Sequence, residues 1–162
     1  MPRRRELRPQ LLAAVVRSDA TLAFAAERQV ISRKRSAAMA MYEPSKKPNA
    51  EEWLALDEGE RIELVRAFHR REKIFVPNLD AHAIVHAVVE NQLAEGFPAA
   101  TATLARLQSE GLNRHDAVHA IGSVLLEHMQ NLMNGSRSGG DPNAPYATAL
   151  ERLTADAWRR SG

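Results

Sequence analysis

From about residue 50 onward, apolar residues recur at helical spacing and show no convincing period-two alternation. Asn49 can cap AEEWLAL, where Glu51 and Glu52 suit the positive end of a helix and Trp53, Leu54 and Leu56 supply a docking face. Asp57 opens EGERIELVRAFHRREKIF, in which Ile62, Val65 and Phe68 recur every three residues among charges, the pattern of an amphipathic surface helix. Pro77 forbids its continuation, and Asn78 can cap the next helix, from residue 79 to about 95. Residues 81–89 of that helix are nearly apolar all round, so it is expected to be a buried central element. Gly96-Phe97-Pro98 makes a turn, residues 99–110 form a helix closed by Gly111, and Asn113 caps a further helix running to about residue 133. The segment NGSRSGGDPNAP, polar and rich in Gly and Pro, reads as a mobile or lid-like loop. A last helix is expected over residues 146–158. The pattern predicts an all-α fold, a bundle of four to five helices.

Upstream, residues 8–16 and 21–31 have helical composition, with Ser18 and Asp19 between them as a cap. YEPSKKPN, with two prolines, a Ser and two lysines, reads as a linker. The expected division is a basic helical arm with its linker over residues 1–48, and an all-α, His-rich bundle domain over residues 49–162.

Charge sharpens that division. Residues 1–50 carry eleven Lys or Arg against four acids, a balance of +7, whereas residues 51–162 carry eleven against sixteen, a balance of −5. The clusters Arg3-Arg4-Arg5 with Arg8, Arg33-Lys34-Arg35 and Lys46-Lys47 suit phosphate or acidic surfaces, so nucleic acid or an acidic protein is a candidate partner for the arm. Only Phe24 and Tyr42 are there to stack on bases, which favours a solvated auxiliary arm. Glu6, Asp19 and Glu27 spoil an organelle-targeting pattern, and no apolar core follows the arginines as a secretory signal would require.

The chain has 162 residues, enough for one domain with its own core, and no cysteine. Disulfides, thiolate metal sites, Fe–S clusters and cysteine nucleophiles are excluded, and a reducing cytoplasm is the expected compartment. No apolar run approaches the ~20 residues that cross a bilayer, so a soluble protein without a membrane partner is expected.

The candidate chemistry lies in two His-x-x-x-His pairs, His82/His86 and His115/His119, which hold four of the six histidines. One-turn spacing stacks both imidazoles of a pair on one helix face, as two ligands of one ion require. Laid start to start, HAIVHAVVENQLAE and HDAVHAIGSVLLEH share His, Val, His, Ala and Leu at equivalent places, which suggests a duplicated helical unit presenting two pairs to one centre. Glu90 falls on the stripe of His82 and His86, within roughly 80° on the helical wheel, and completes a His-x-x-x-His-x-x-x-Glu ladder. Buried, these groups must satisfy one another or bind a cation. With one helix between them, the two His helices are expected to run parallel. Gly122 lies between the second pair and the core centre and leaves room for close helix approach.

His115-Asp116-Ala117-Val118-His119 differs from the HExxH zinc-hydrolase motif by one methylene, which makes Asp116 a candidate general base on a metal-bound water. The competing role is structural, since with Asn113 as N-cap Asp116 occupies N3, where an acid stabilises the helix start. His115-Asp116 also invites comparison with HD-type phosphohydrolases, but the Gly-Lys continuation after the pair is missing. His69 reads as a surface residue and His128 as a helix-flank residue. Glu127 lies off the His119 stripe, and Gly139-Gly140 lacks the strand and Lys of a phosphate loop.

PNLDAHAIVHAVVENQLAEG followed by LARLQSEGLNRHDAVHAIGSVL resembles small uncharacterised bacterial proteins of a domain-of-unknown-function type that carry two HxxxH helices. The ENQ after the first pair and the RHxAxH start of the second are the most specific shared pieces. The resemblance covers about half the chain and excludes the arm. It implies no activity, and implies only His82, His86, His115 and His119 as positions to test. Such relatives often read HExxH at the second pair, so Asp116 is a departure that weighs against hydrolytic chemistry.

Two readings follow. One is a divalent-metal protein, with a hydrolase as its enzymatic form, in which the four histidines and Glu90 bind Zn, Fe, Mn or Ni, which N/O ligands do not distinguish. The other is a non-enzymatic helical interaction module, whose histidines form a buried hydrogen-bond network and whose basic arm meets nucleic acid or an acidic partner. Oligomeric state is not legible.

Overall fold

Four polar caps start four helices where the sequence places them. In the computed structural model, which describes residues 42–135 and 140–161, these are α1 (Ala50–Leu54), α2 (Glu58–Arg71), α3 (Leu79–Ala94) and α5 (Arg114–Met133). The Asn49, Asp57, Asn78 and Asn113 side chains each accept from the backbone N–H three residues on, at 2.8–3.1 Å, and Glu60 returns the bond to the Asp57 N–H. The fold is completed by α4 (Pro98–Ser109), α6 (Ala144–Arg152) and α7 (Ala155–Ser161). The described residues hold these seven helices and no strand, an all-α fold. The basic arm, with the two helices and partners read from it, lies outside the described residues, as do residues 136–139 of the expected lid.

Seven helices stand where four to five are expected, partly because the last one is two. Leu153 is extended (φ −66°, ψ 130°), ending α6 before Thr154. The Arg106 guanidinium of α4 donates to the Leu150 carbonyl at 2.8 Å and to that of Leu153, and Glu110 accepts from the Ala155 N–H at 2.6 Å. Carbonyls that a continuous helix would use internally are thereby satisfied from outside.

Gly96 (φ 74°) and Gly111 (φ 92°) close α3 and α4 in the left-handed conformation that glycine adopts without penalty. Leu107, Val118, Ile121, Tyr146 and Leu150 form the centre of the core with the buried faces of α3 and α5. Residues 42–45, within the segment read as a linker, pack into this unit through buried Tyr42 and Pro44.

α3 contacts α1, α2, α4 and α5, and buries Ala83, Ala87 and Val89. It is not enclosed all round, however, since Ile84 is 42% exposed. The contacts between α3 and α5 run in opposite directions along the two chains. His82 meets His119, His86 meets His115, and Glu90 meets Arg114. The two His helices are thus antiparallel, not parallel, and α4 supplies one net reversal rather than two. A local twofold axis between the helices, exchanging His82 with His115 and His86 with His119, would produce this same pairing of the first His of one pair against the second of the other. Gly122 is at the closest approach, where a Cβ would lie 3.1 Å from Val85 Cγ1.

Candidate metal centre

His69 leads the site, although its sequence context reads as surface. It is 0% exposed. The reason is a stripe: His69 follows Val65 by one turn and Ile62 by two, so it extends the apolar face of α2. Its Nδ1 lies 2.8 Å from the Val65 carbonyl, which can only accept, so Nδ1 carries the proton and Nε2 the lone pair, which accepts from His82 Nε2–H at 2.9 Å and which an ion would have to take over from it.

His69, His86, His115 and His119 each place a ring nitrogen so that all four atoms lie within 4.8 Å of one another. Three helices supply them, α2, α3 and α5. Adjacent ligands of a tetrahedral ion with bonds near 2.0–2.1 Å stand about 3.3 Å apart, so the set is somewhat wider than a closed coordination sphere. Among the described residues, His86 Nδ1, His115 Nε2 and His119 Nε2 are buried without a hydrogen-bond partner in the protein. Unsatisfied buried polar atoms cost about 1–3 kcal/mol each, and three of them in a single cluster call for a ligand.

A chain of buried polar groups orients His86. Arg114 makes two bonds to Glu90, at 2.7 and 2.6 Å, and a third to the Pro44 carbonyl at 2.8 Å. Tyr42 donates its hydroxyl proton in a hydrogen bond to Glu90 Oε1 at 2.6 Å, and the Tyr42 hydroxyl oxygen lies 3.1 Å from His86 Nε2. Burial first, and then the Glu90 charge, holds the Tyr42 hydroxyl well above its ordinary titration range, so that it keeps its proton. With that proton given to Glu90, Tyr42 accepts from His86 Nε2–H, and the lone pair is left on Nδ1. This is the outer-shell support that metal-binding imidazoles ordinarily have.

Burial also keeps the imidazoles neutral. It pushes His82 down to about 4 and His119 to about 3, and lowers His69, His86 and His115, with neighbouring histidines adding to the effect at all of these but His69. Neutral imidazole is the form that binds a cation.

The other residues read from the sequence fall around this group. His82 is half-buried beside it, its Nε2 2.9 Å from His69 Nε2, a distance that fits a hydrogen bond between the rings. Glu90 directs its oxygens at Arg114 and Tyr42 and is not among the four residues whose ligand atoms converge. Asp116 engages Asn113 reciprocally, through its backbone N–H at 2.8 Å and its Oδ2 at 2.7 Å, which is the capping arrangement. His128 is stacked on Tyr146, ring centroids 5.5 Å apart, away from the cluster.

The ENQ triplet serves three separate junctions. Glu90 holds Arg114 and Tyr42, Asn91 accepts from Trp53 Nε1 and Arg61 at 2.8 Å, and Gln92 accepts from the Tyr146 hydroxyl at 2.8 Å. The residue before His115 is thus tied to the residue one turn after His86, so ENQ and RH are two ends of a single ion pair.

Comparison with known protein families, with curated proteins and with solved structures finds no match. No helix among the described residues is long and apolar enough to cross a membrane.

Proposed function

We propose that the protein binds a divalent metal ion through His69, His86, His115 and His119, with Tyr42, Glu90 and Arg114 as the outer shell. The observation that carries this reading is the convergence of four ring nitrogens within 4.8 Å, three of the histidines having a buried nitrogen without a protein partner. A hydrogen-bond network is the poorer account, because only His69 and His82 are bonded directly to each other within the cluster. Nitrogen donors suit Zn, Fe, Ni or Mn in different degrees, so availability and geometry select the ion.

Four protein ligands would make the ion structural, whereas loss of one to an incoming molecule opens a position for Lewis-acid chemistry. Asp116 as a general base would have to leave its bonds with Asn113. A hydrolase is therefore the less supported form of this reading.

The test is metal analysis of protein purified without a His tag, beside His86→Ala and His119→Ala. Stoichiometric metal in the parent chain and its loss from both variants is the expected result. Absence of bound metal, together with no thermal stabilisation on adding Zn or Mn, would sink the proposal.

A further inference from the structure

A cavity of about 380 Å³ lies between α3 and α5 against Trp158 of α7, and one side of it is formed by His82, His86 and His119. Its other walls are mainly apolar, from Ala81, Val85, Val118, Leu126 and Trp158, with Asn78 and Ser123 as the polar members. Gly122 contributes width, since it presents no side chain. The volume lies in the range of small-molecule sites. At about 30 Å³ per water-sized group it holds on the order of a dozen non-hydrogen atoms.

The charge balance narrows the occupant. Four neutral imidazoles leave a bound divalent ion with both its charges, and an uncompensated charge beside apolar walls is costly. No Lys or Arg lines the cavity, so a phosphate or other multiply charged group would lack the donors that normally hold it. A single carboxylate cancels one of the two charges and takes its partner from the ion alone, and the rest of the molecule must then be apolar to match the walls.

We propose that the cavity is a binding site for a small apolar monocarboxylate, its carboxylate on the metal at the His86/His119 end and its hydrocarbon part between Val85, Leu126 and Trp158. This rests on the metal-binding reading above and adds to it a ligand class, the carboxylate entering as a fifth ligand or in place of one histidine. His82, outside the four-nitrogen group but on the cavity wall, is within the site to donate a ring N–H to the bound carboxylate oxygen.

The experiment uses the full chain loaded with cobalt(II), whose visible absorption reports the head group, and follows Trp158 emission as a report on the tail, with Trp158→Phe as its control. Acetate, butyrate, hexanoate, hexanol and inorganic phosphate are titrated in turn. Each added methylene of the carboxylates is expected to tighten binding by about fourfold until the cavity is full, with hexanol and phosphate at least tenfold weaker than hexanoate. Leu126→Trp, and independently Ala81→Leu, fill the cavity and should weaken hexanoate more than tenfold while acetate is unchanged, cobalt content being measured on the same samples. Equal affinity for acetate and hexanoate, or for hexanol and hexanoate, would overturn the carboxylate site while leaving the metal site standing. Failure of the chain to retain cobalt would overturn both.

Discussion

The hydroxyl of Tyr42 has one proton, and Glu90 takes it at 2.6 Å. His86 can then only donate to that oxygen, which fixes its tautomer and leaves the Nδ1 lone pair for the proposed ion. Tyr42→Phe keeps the ring packed on Trp53 and Phe68 and removes the hydroxyl's bonds to His86 and Glu90, Glu90 keeping its two bonds to Arg114. Metal affinity is expected to fall by about 10–100-fold, measured by competition with a chromophoric chelator, with the helical circular dichroism unchanged. His82→Ala makes the opposite test, and stoichiometric metal should survive it, because His82 lies outside the group of four. The depressed histidines also give the metal-free protein a pH dependence of defined sign. Below their ordinary value near 6.5 the unfolded chain gains protons that folded His82 and His119 refuse until about 4 and about 3. Stability is therefore fully present above pH ~6.5 and declines as pH falls toward those values. Urea midpoints taken from pH 7 to pH 5 should fall, and more shallowly for His119→Ala; a flat profile would mean that the rings are not desolvated. Both HxxxH pairs were legible because spacing within one helix is a local property. The His69 position was legible too, on the Ile62/Val65 stripe, but its flanking Arg70 and Arg71 masked it. Tyr42 and Arg114 were not legible, since their partners lie 24 to 48 residues away.

Helix starts were readable because a cap needs only an Asn or Asp and the N–H three residues on. Helix ends and directions depend on neighbours. α2 ends with Lys73 in the left-handed conformation at φ 55°, where its N–H bonds the Arg70 carbonyl and the Ile74 N–H bonds the His69 carbonyl. A non-glycine residue there costs about 1–2 kcal/mol, partly offset by the greater freedom that glycine has in the unfolded chain. Lys73→Gly is expected to stabilise the protein by about 0.5–1 kcal/mol in urea unfolding, with metal affinity unchanged because the turn lies beyond His69. The break between α6 and α7 was likewise hidden in the sequence, since Arg106 and Glu110 of a different part of the chain satisfy it. So was the antiparallel run of α3 and α5, which depends on how α4 crosses between them. Gly122 makes that run testable. A Cβ at 3.1 Å from Val85 Cγ1 must displace its neighbour slightly, and a larger side chain must push α3 away from α5. Gly122→Leu should therefore weaken the metal site, which draws His86 from one helix and His115 and His119 from the other, by more than any change at Lys73. Equal metal affinity in Gly122→Leu and the parent would argue that the two helices tolerate separation without opening the site.

At the scale of the molecule, the four nitrogens come from α2, α3 and α5, and no local segment of the chain can assemble them alone. His69 and His119 are 50 residues apart in sequence, so on the proposed reading an ion would bind tightly only to the packed bundle. Binding to the folded state then stabilises the whole unit by mass action, about 2.7 kcal/mol at a free concentration one hundred times Kd. For a unit of this size that corresponds to a rise in Tm on the order of 10 °C. The unfolded chain still offers six histidines, and weak binding there subtracts from the shift. The distinguishing feature is how stabilisation depends on concentration. Tm should be level below Kd and then climb with the logarithm of free Zn, because each tenfold excess adds about 1.4 kcal/mol. His119→Ala should abolish the climb, whereas Tyr42→Phe should shift its onset to higher concentration without changing its slope. A histidine cluster held only by its own hydrogen bonds behaves differently, since removing His119 relieves buried unsatisfied groups and leaves Tm indifferent to added metal in both proteins. Scanning calorimetry across a chelator-buffered Zn series on the parent chain and the two variants separates these outcomes, and a Tm independent of free Zn in the parent would reject metal binding as the reason these rings converge.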